Sequence, residues 1–411
     1  MKRWFAIALW KRVLGALLLG IALGLLAPQA APWVAFLGDL FVRLIRMLVA
    51  PIVLVTIAAG IAGMADPARL GPLGGRTLAL FAATTLAAVA IGMGVGALVQ
   101  PGAGAALGAV EAQALGEPGS LYDTLIGIVP LNIVDALAKG DMLALIFVAI
   151  LLGIGTMVAG EAGKPFAMLL ASASNVLLTI VRLVMEAAPF GVFGLIANAV
   201  AANGVAVFAN IGWLALCVLI GSAAQMLLVH LPLLRLAARV PIGRFYRAIA
   251  DALAIAFSTA SSSAVLPVAI RRAEDNIGIA RPVAATVLPL GASIGKDGTA
   301  MYVGLLSIFS LQALGHAMAP ADWLVVLLTG ALAAFGTAPV PSASLFMLAA
   351  VLAAVGISPE QTALIVGLVL PFDRLLDMTR TVPSASANLT VATVVARAEG
   401  ALDTRLTRPP A

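Results

Sequence analysis

The sequence predicts an all-α polytopic membrane protein of eight transmembrane helices and two re-entrant helical hairpins, and three observations lead there. Of its 411 residues 62% are hydrophobic and 10% charged, with a mean hydropathy of +1.10, so most of the chain faces lipid rather than water. Several apolar runs reach the roughly 20 residues that a helix needs to cross the hydrocarbon core. Two further apolar passages are interrupted in the middle by polar, proline-containing tips and return to the side they came from.

The first half is regular, with helices expected over 4–30, 33–64, 74–100, 120–158, 163–202 and 206–236. The first follows Met1-Lys2-Arg3 and contains Lys11-Arg12, as a signal peptide would, but no small-residue cleavage site leads into a soluble domain. It is expected to stay as a span. Basic connections (Arg69 to Arg76; Lys164; Arg235, Arg239, Arg244 and Arg247; Arg271, Arg272 and Arg281; Arg397, Arg405 and Arg408) alternate with acidic or neutral ones around Glu111, Glu117 and Asp123, at Asn203, at Asp322 and at Glu360. By the positive-inside rule this places both termini in the cytoplasm of a multi-pass cell inner membrane protein. The net charge of +5 therefore reports orientation, and no nucleic-acid partner is expected. Cys217 is the only cysteine and His230 and His316 the only histidines, which leaves no disulfide framework; no cofactor and no metal are expected.

The second half breaks the rhythm. Between Arg247 and Arg271 lies one apolar passage, 248–270, interrupted by Ser258-Thr259-Ala260-Ser261-Ser262-Ser263 and Pro267. The stretch 323–357 repeats this from the other side, around Gly336-Thr337-Ala338-Pro339-Val340-Pro341-Ser342-Ala343-Ser344. Unpaired backbone groups are costly in lipid, so both tips must be buried in protein or line a wet cavity. Each hairpin is followed by one full span, 283–311 and 362–395, so hairpin plus helix occurs twice in opposite orientation. Inverted repeats of interrupted segments mark the substrate site of secondary transporters. The competing explanation is that the Ser, Gly and Ala patches merely let helices pack closely.

Polar chemistry concentrates on the two full spans. In the last, Asp373, Asp377, Arg380, Thr381, Ser384 and Asn388 follow spacings of three or four and share one helix face. An ionisable side chain at membrane depth costs on the order of 2.5 to 3.5 kcal/mol, so a buried Asp and Arg together point to a functional site. Arg380 offers a fork for a carboxylate and Asp377 an anion for an ammonium; the alternative is an internal ion pair that only orders the bundle. In the other span, Pro289 to Thr299, Gly295 and Gly298 bracket the charged pair Lys296-Asp297, which predicts an unwound turn whose carbonyls face a cavity and could bind a cation or an ammonium. Here the alternative is a self-neutralising Lys296–Asp297 kink.

These residues resemble the dicarboxylate/amino acid:cation symporter family that includes the glutamate transporters. The resemblance runs from the first helix to about Glu399 and rests on Ser261-Ser262-Ser263 with Leu266-Pro267, on Gly295 to Thr299, on Val340-Pro341 and on Asp377 with Arg380. It implies a homotrimer of elevator-type transporters: a scaffold of residues 1–73 and 101–204 (spans one, two, four and five), a transport domain of 74–100 and 205–400 (span three, then span six to span eight with both hairpins), and a cytoplasmic tail, 401–411. It also implies that Ser262 meets the main-chain carboxylate of the substrate, with Thr299 a further contact, Asp377 on the amino group and Arg380 on the distal carboxylate beside Thr381 and Ser384. Val340 and Ser342 would close the lid.

Departures from the family pattern fall mainly on its sodium sites. Thr84, Thr85 and Asp297 keep their oxygens, but Gly295 removes an Asn amide, Asn388 replaces an Asp, Phe81 replaces a Tyr, and Lys296 replaces a Met between two sodium positions. Ser384 stands for an Asn, and Ser342 and Ser344 for glycines. The expected activity is secondary transport of acidic amino acids, aspartate or glutamate, without sodium and with Lys296 as a cation surrogate. Carriage of C4-dicarboxylates and sodium-coupled symport are the alternatives, and a channel the main one from another class. An embedded enzyme is disfavoured, since the sequence sets no His or Cys beside Ser262 to activate it.

Overall fold

The computed structural model describes residues 9–62, 67–105, 129–139, 142–203, 207–337 and 343–403. Among the described residues the backbone is helical almost throughout and no strand forms; an isolated antiparallel bridge joins Ile279 to Leu402. Helix suits a lipid solvent, because it pairs every interior backbone group within one segment.

Helix α1 (Leu9–Leu26) and helix α2 (Ala31–Ala62) are separated by a short 3-10 turn, Pro28–Ala30, at which the chain bends by 115°. Pro28 causes the break: it lacks an N–H and pushes Ala27 out of the helical region. Next come α3 (Pro67–Val99), α4 (Ile133–Lys139) and α5 (Met142–Val158). The helix expected over 120–158 is thus not continuous. Residues 129–132 are irregular, and Asn132 caps α4 by accepting from the Val134 amide at 2.8 Å.

A second correction concerns 163–202, which divides into α6 (Lys164–Met185) and α7 (Ala188–Asn203). Pro189 in the first turn of α7 cannot continue the preceding ladder, and Glu186 at the break is held from outside by Arg12 at 2.7 Å. Helix α8 (Val207–Gln225) runs on through two π-turns, Met226–His230 and Leu233–Ala238, and stops at Arg239 in the left-handed region, φ 53°.

Both expected hairpins are pairs of helices packed on each other. In the first, α9 (Ile242–Thr259) turns at Ala260, φ 52°, into α10 (Ser262–Arg272), which Ser261 caps by accepting from the Ala264 amide. Arg272 returns to pair with Asp251, tying the two arms together. The second consists of α13 (Pro320–Phe335) and α14 (Ala343–Ala354); its tip, with Val340 and Ser342, lies outside the described residues. The spans that follow are α11 (Arg281–Ile294) with α12 (Asp297–Ala313), and the 40-residue α15 (Pro359–Ala398), opened by a reciprocal Ser358 and Gln361 cap.

Among the described residues two helices are long and apolar enough to cross a membrane alone, Leu73–Val99 and Asn210–Ala238. Charges dilute others, as Asp373, Asp377 and Arg380 do in α15, and breaks shorten the rest. In the packing, α1 lies on α7, and α2 on α5, α6 and α7. Helix α12 lies along α3 and against α15, α13 and α8, so the broken span is central. Fifteen of its residues from Asp297 to Leu311 are buried without exception, which places any polar chemistry on it inside protein.

Candidate functional site

The site begins with a local event in α11 and α12. Gly295 (φ −76°, ψ 72°) and Lys296 (φ −109°, ψ 42°) leave the helical region, so the span unwinds where glycine and charge coincide. Two other helices force the shape of this break. A Cβ on Gly295 would lie 2.1 Å from Asn388 Oδ1 and 2.5 Å from Phe81 Cε1, and one on Gly298 would lie 1.6 Å from the Arg380 carbonyl oxygen. Backbone therefore touches backbone between α12 and α15. The Gly298 amide completes the contact by donating to Ser384 Oγ at 3.0 Å.

The polar face expected on α15 forms as spaced: Asp373, Asp377, Arg380, Thr381, Ser384 and Asn388 are all buried. Arg380 is its centre. Its Nη2 lies 2.6 Å from Asp377 Oδ1, its Nη1 donates to Thr299 Oγ1, and its guanidinium stands 5.2 Å from the centre of the Tyr302 ring. Tyr302 is fixed in turn, donating to Asp373 Oδ1 at 2.9 Å. One donor is left over. Arg380 Nε is buried with no hydrogen-bond partner among the described residues. Thr381 turns its hydroxyl back to the Asp377 carbonyl at 2.7 Å.

A second polar centre surrounds Asp297, which is fully buried. Thr84 and Thr85 of α3 approach Oδ1 at 3.0 and 3.5 Å. Oδ2 receives two side chains that sequence reasoning missed, Gln225 Nε2 at 2.8 Å and His230 Nε2 at 3.2 Å. The other nitrogen of His230 lies 3.0 Å from Ser386 Oγ, itself 3.3 Å from the Tyr246 hydroxyl. Lys296, adjacent in sequence, takes no part in this cluster. Its side chain is buried and has no ion-pair or hydrogen-bond partner among the described residues; the charges acting on it are those of Arg380 and Asp377.

Ser262 lines a small crevice with Val265, Leu266, Leu288, Ala385 and Asn388, between the first hairpin and the two central spans. Asn388 Oδ1 is buried with no partner among the described residues. The structure thus brings Thr299, Asp377, Arg380, Thr381 and Ser384 together, Thr84, Thr85 and Asp297 together, and Ser262 with Asn388. Among the described residues no group of three His, Cys, Asp or Glu side chains could hold a metal ion.

Comparison with known proteins gives the chain its family. The model of the "Sodium:dicarboxylate symporter family" matches residues 9–398. The proton/sodium-glutamate symport protein of Geobacillus stearothermophilus is 33% identical over 405 residues, covering 95% of this chain and 94% of that one. The C4-dicarboxylate transport protein of Azorhizobium caulinodans is 33% identical over 407 residues, covering 96% and 89%. The C4-dicarboxylate transport protein 2 of Pseudomonas paraeruginosa is 35% identical over 402 residues, covering 96% and 91%.

Proposed function

The chain belongs to the sodium:dicarboxylate symporter family, is a multi-pass membrane transporter and not an enzyme, and from that premise we propose that it carries acidic amino acids without sodium. One observation carries the substrate reading: the buried, incompletely paired Arg380 on the polar face of α15. A guanidinium with an orphaned N–H in a dry site favours an anionic partner, and its planar fork suits a carboxylate. Asp377 beside it suits the α-ammonium, and Thr299, Thr381 and Ser384 lie within the same group of contacts. Ser262, Val340 and Ser342 complete the proposed substrate set from the two hairpin tips. A glutamate symport protein among the relatives favours the amino-acid reading, and C4-dicarboxylate carriers keep succinate-like substrates as the second reading. Asn388, a neutral residue on the substrate face, favours that second reading only as to coupling, since it supplies no charge for a metal cation.

Sodium independence rests on charge. Gly295 supplies no side-chain amide and Asn388 no carboxylate, whereas Lys296 sets a buried amine, which offers no oxygen ligand, within the field of Asp377 and Arg380. Protons, or no ion, would then couple the cycle.

For the whole molecule we propose an elevator: α1, α2, and α4 to α7 as scaffold, α3 and the elements from α8 onward as the moving domain, and both hairpins as re-entrant gates with the termini in the cytoplasm. The contacts of α1 with α7 and of α2 with α5 to α7 favour this division. Exposed apolar side chains such as Trp33, Phe36 and Leu40 on α2 and Met168, Leu169 and Leu183 on α6 call for lipid or for further copies, in keeping with a trimer.

Uptake of radiolabelled aspartate, glutamate and succinate into proteoliposomes, with sodium and proton gradients imposed separately, tests the proposal. Aspartate or glutamate uptake in sodium-free choline buffer is the expected result. Uptake that vanishes without sodium and returns saturably with it ends the sodium-independent reading, and succinate uptake exceeding that of aspartate moves the protein to the second substrate class.

A further inference from the structure

The family description implies sodium, and Asp297 is the one carboxylate of the site not shared with Arg380 or Tyr302. Whether a sodium ion fits there depends on which atoms already face its oxygens. A monovalent metal ion needs several convergent lone pairs, with carboxylate, carbonyl and hydroxyl oxygens aimed at one point. Asp297 meets the opposite. Its oxygens accept from Thr84, Thr85, Gln225 and His230, the last two through nitrogen at 2.8 and 3.2 Å.

The donor character of both nitrogens follows from their surroundings. Gln225 Nε2 faces two acceptors at once, Asp297 Oδ2 and the Thr84 carbonyl at 3.2 Å, so a flipped amide would set oxygen against two oxygens. Likewise a carboxylate can only accept, so His230 Nε2 bears the hydrogen. The ring is not free to swing away: its Nδ1 is tied to Ser386, and Ser386 to Tyr246 of the first hairpin. Gln225 and His230 are wholly buried, and the π-turn Met226–His230 holds them on one side of α8. These N–H groups occupy directions from which a cation would have to approach.

We propose that the imidazole of His230, with the amide of Gln225, takes the place of a coupling cation on Asp297 and closes that carboxylate to sodium. This rests on the sodium-independent reading above and assigns its cause to residues of α8 in addition to Lys296. The neighbouring break in α11 and α12 is then held in shape by protein donors alone, and the same bonds tie α3, α8 and α12 into one unit. No ion is needed to complete it.

The test uses the full chain purified in detergent. Thermal unfolding is measured in rising NaCl against choline chloride at matched ionic strength, for the parent, His230→Ala and Gln225→Ala, with sodium-23 relaxation as a second readout of binding. The parent is expected to show no sodium-specific change. At least one variant, having an opened space beside Asp297, is expected to gain a saturable, sodium-specific rise in Tm and a sodium-23 response. If the parent is indifferent and both folded variants stay indifferent, the inference fails while sodium independence stands. If the parent itself is saturably stabilised by sodium, that reading fails and the inference with it. Should His230→Ala not fold, Gln225→Ala, which leaves the ring and its Ser386 tie in place, decides alone.

Discussion

Arg380 is held by three different kinds of contact, an ion pair to Asp377, a hydrogen bond to Thr299 and the face of Tyr302, and each requires the planar guanidinium to sit where it does. Arg380→Lys keeps the charge and loses the fork, the stacking and the spare Nε donor, so we expect uptake of acidic solutes to fall by about a hundredfold or more, from the loss of two charged hydrogen bonds. Uptake within threefold of the parent would remove Arg380 from the substrate site. Asp377 predicts a change of selectivity instead. With Asp377→Asn the repulsion toward a second carboxylate disappears and the partner of an α-ammonium is weakened, so succinate should compete with aspartate better than in the parent. Competition assays in proteoliposomes read this directly, and an unchanged ratio would free Asp377 from that role. This part of the site was legible from the sequence, because a regular α-helix carries its residues at three- and four-residue spacings onto one face. Asp373 was visible on that face too, but its role of anchoring Tyr302 depends on a contact with another helix.

At the scale of elements, legibility followed helical regularity. The unwound turn at Gly295 and Lys296 was predicted because two glycines and two charges fall together, and the paired arms of both hairpins because polar tips cannot sit in lipid. His230 escaped notice for a definite reason. At 3.6 residues per turn, positions five apart point about 140° away from each other, so Gln225 and His230 look like residues of different faces. The π-turn between them restores a shared face, and nothing in the apolar run Met226 to Val229 announces it. The pairing of Glu186 at the break before Pro189 with Arg12, 174 positions away, was equally hidden. The contact between α12 and α15 gives a stability prediction. Gly298→Ala places a methyl 1.6 Å from a backbone oxygen that no side-chain motion can relieve, so the two central helices must separate. The expected cost is on the order of 1–3 kcal/mol or more, seen as a lower Tm in detergent. Gly94→Ala on α3 is the matched control, since a Cβ there meets nothing within 4 Å and alanine is the better helix former. Equal melting temperatures for the two variants would mean that α12 and α15 do not meet as described.

For the molecule as a whole, the proposed elevator demands that some close contacts of the present conformation be broken in every cycle. Those contacts lie where α7, assigned to the scaffold, meets α15, assigned to the moving domain. Gly367 of α15 packs against Leu195 of α7: a Cβ built on the glycine would lie 3.6 Å from Leu195 Cβ, and its three nearest neighbours all belong to that one leucine. That Cβ separation falls within the range of disulfides, roughly 3.5–4.5 Å, and truncating the leucine to cysteine removes the only crowding atoms. The chain makes the experiment clean, because Cys217 is its only cysteine and is buried in α8. In a Cys217→Ala background, Leu195→Cys with Gly367→Cys should therefore form a disulfide under mild oxidation. Locking α15 to α7 should stop net uptake while leaving the protein folded, and reduction should restore it. A merely structural contact would behave otherwise, since a bond added across a static interface stabilises it and leaves turnover unchanged. Full uptake by the oxidised, demonstrably crosslinked pair would show that α7 and α15 travel together, and the boundary between scaffold and moving domain would have to be redrawn on the other side of α7.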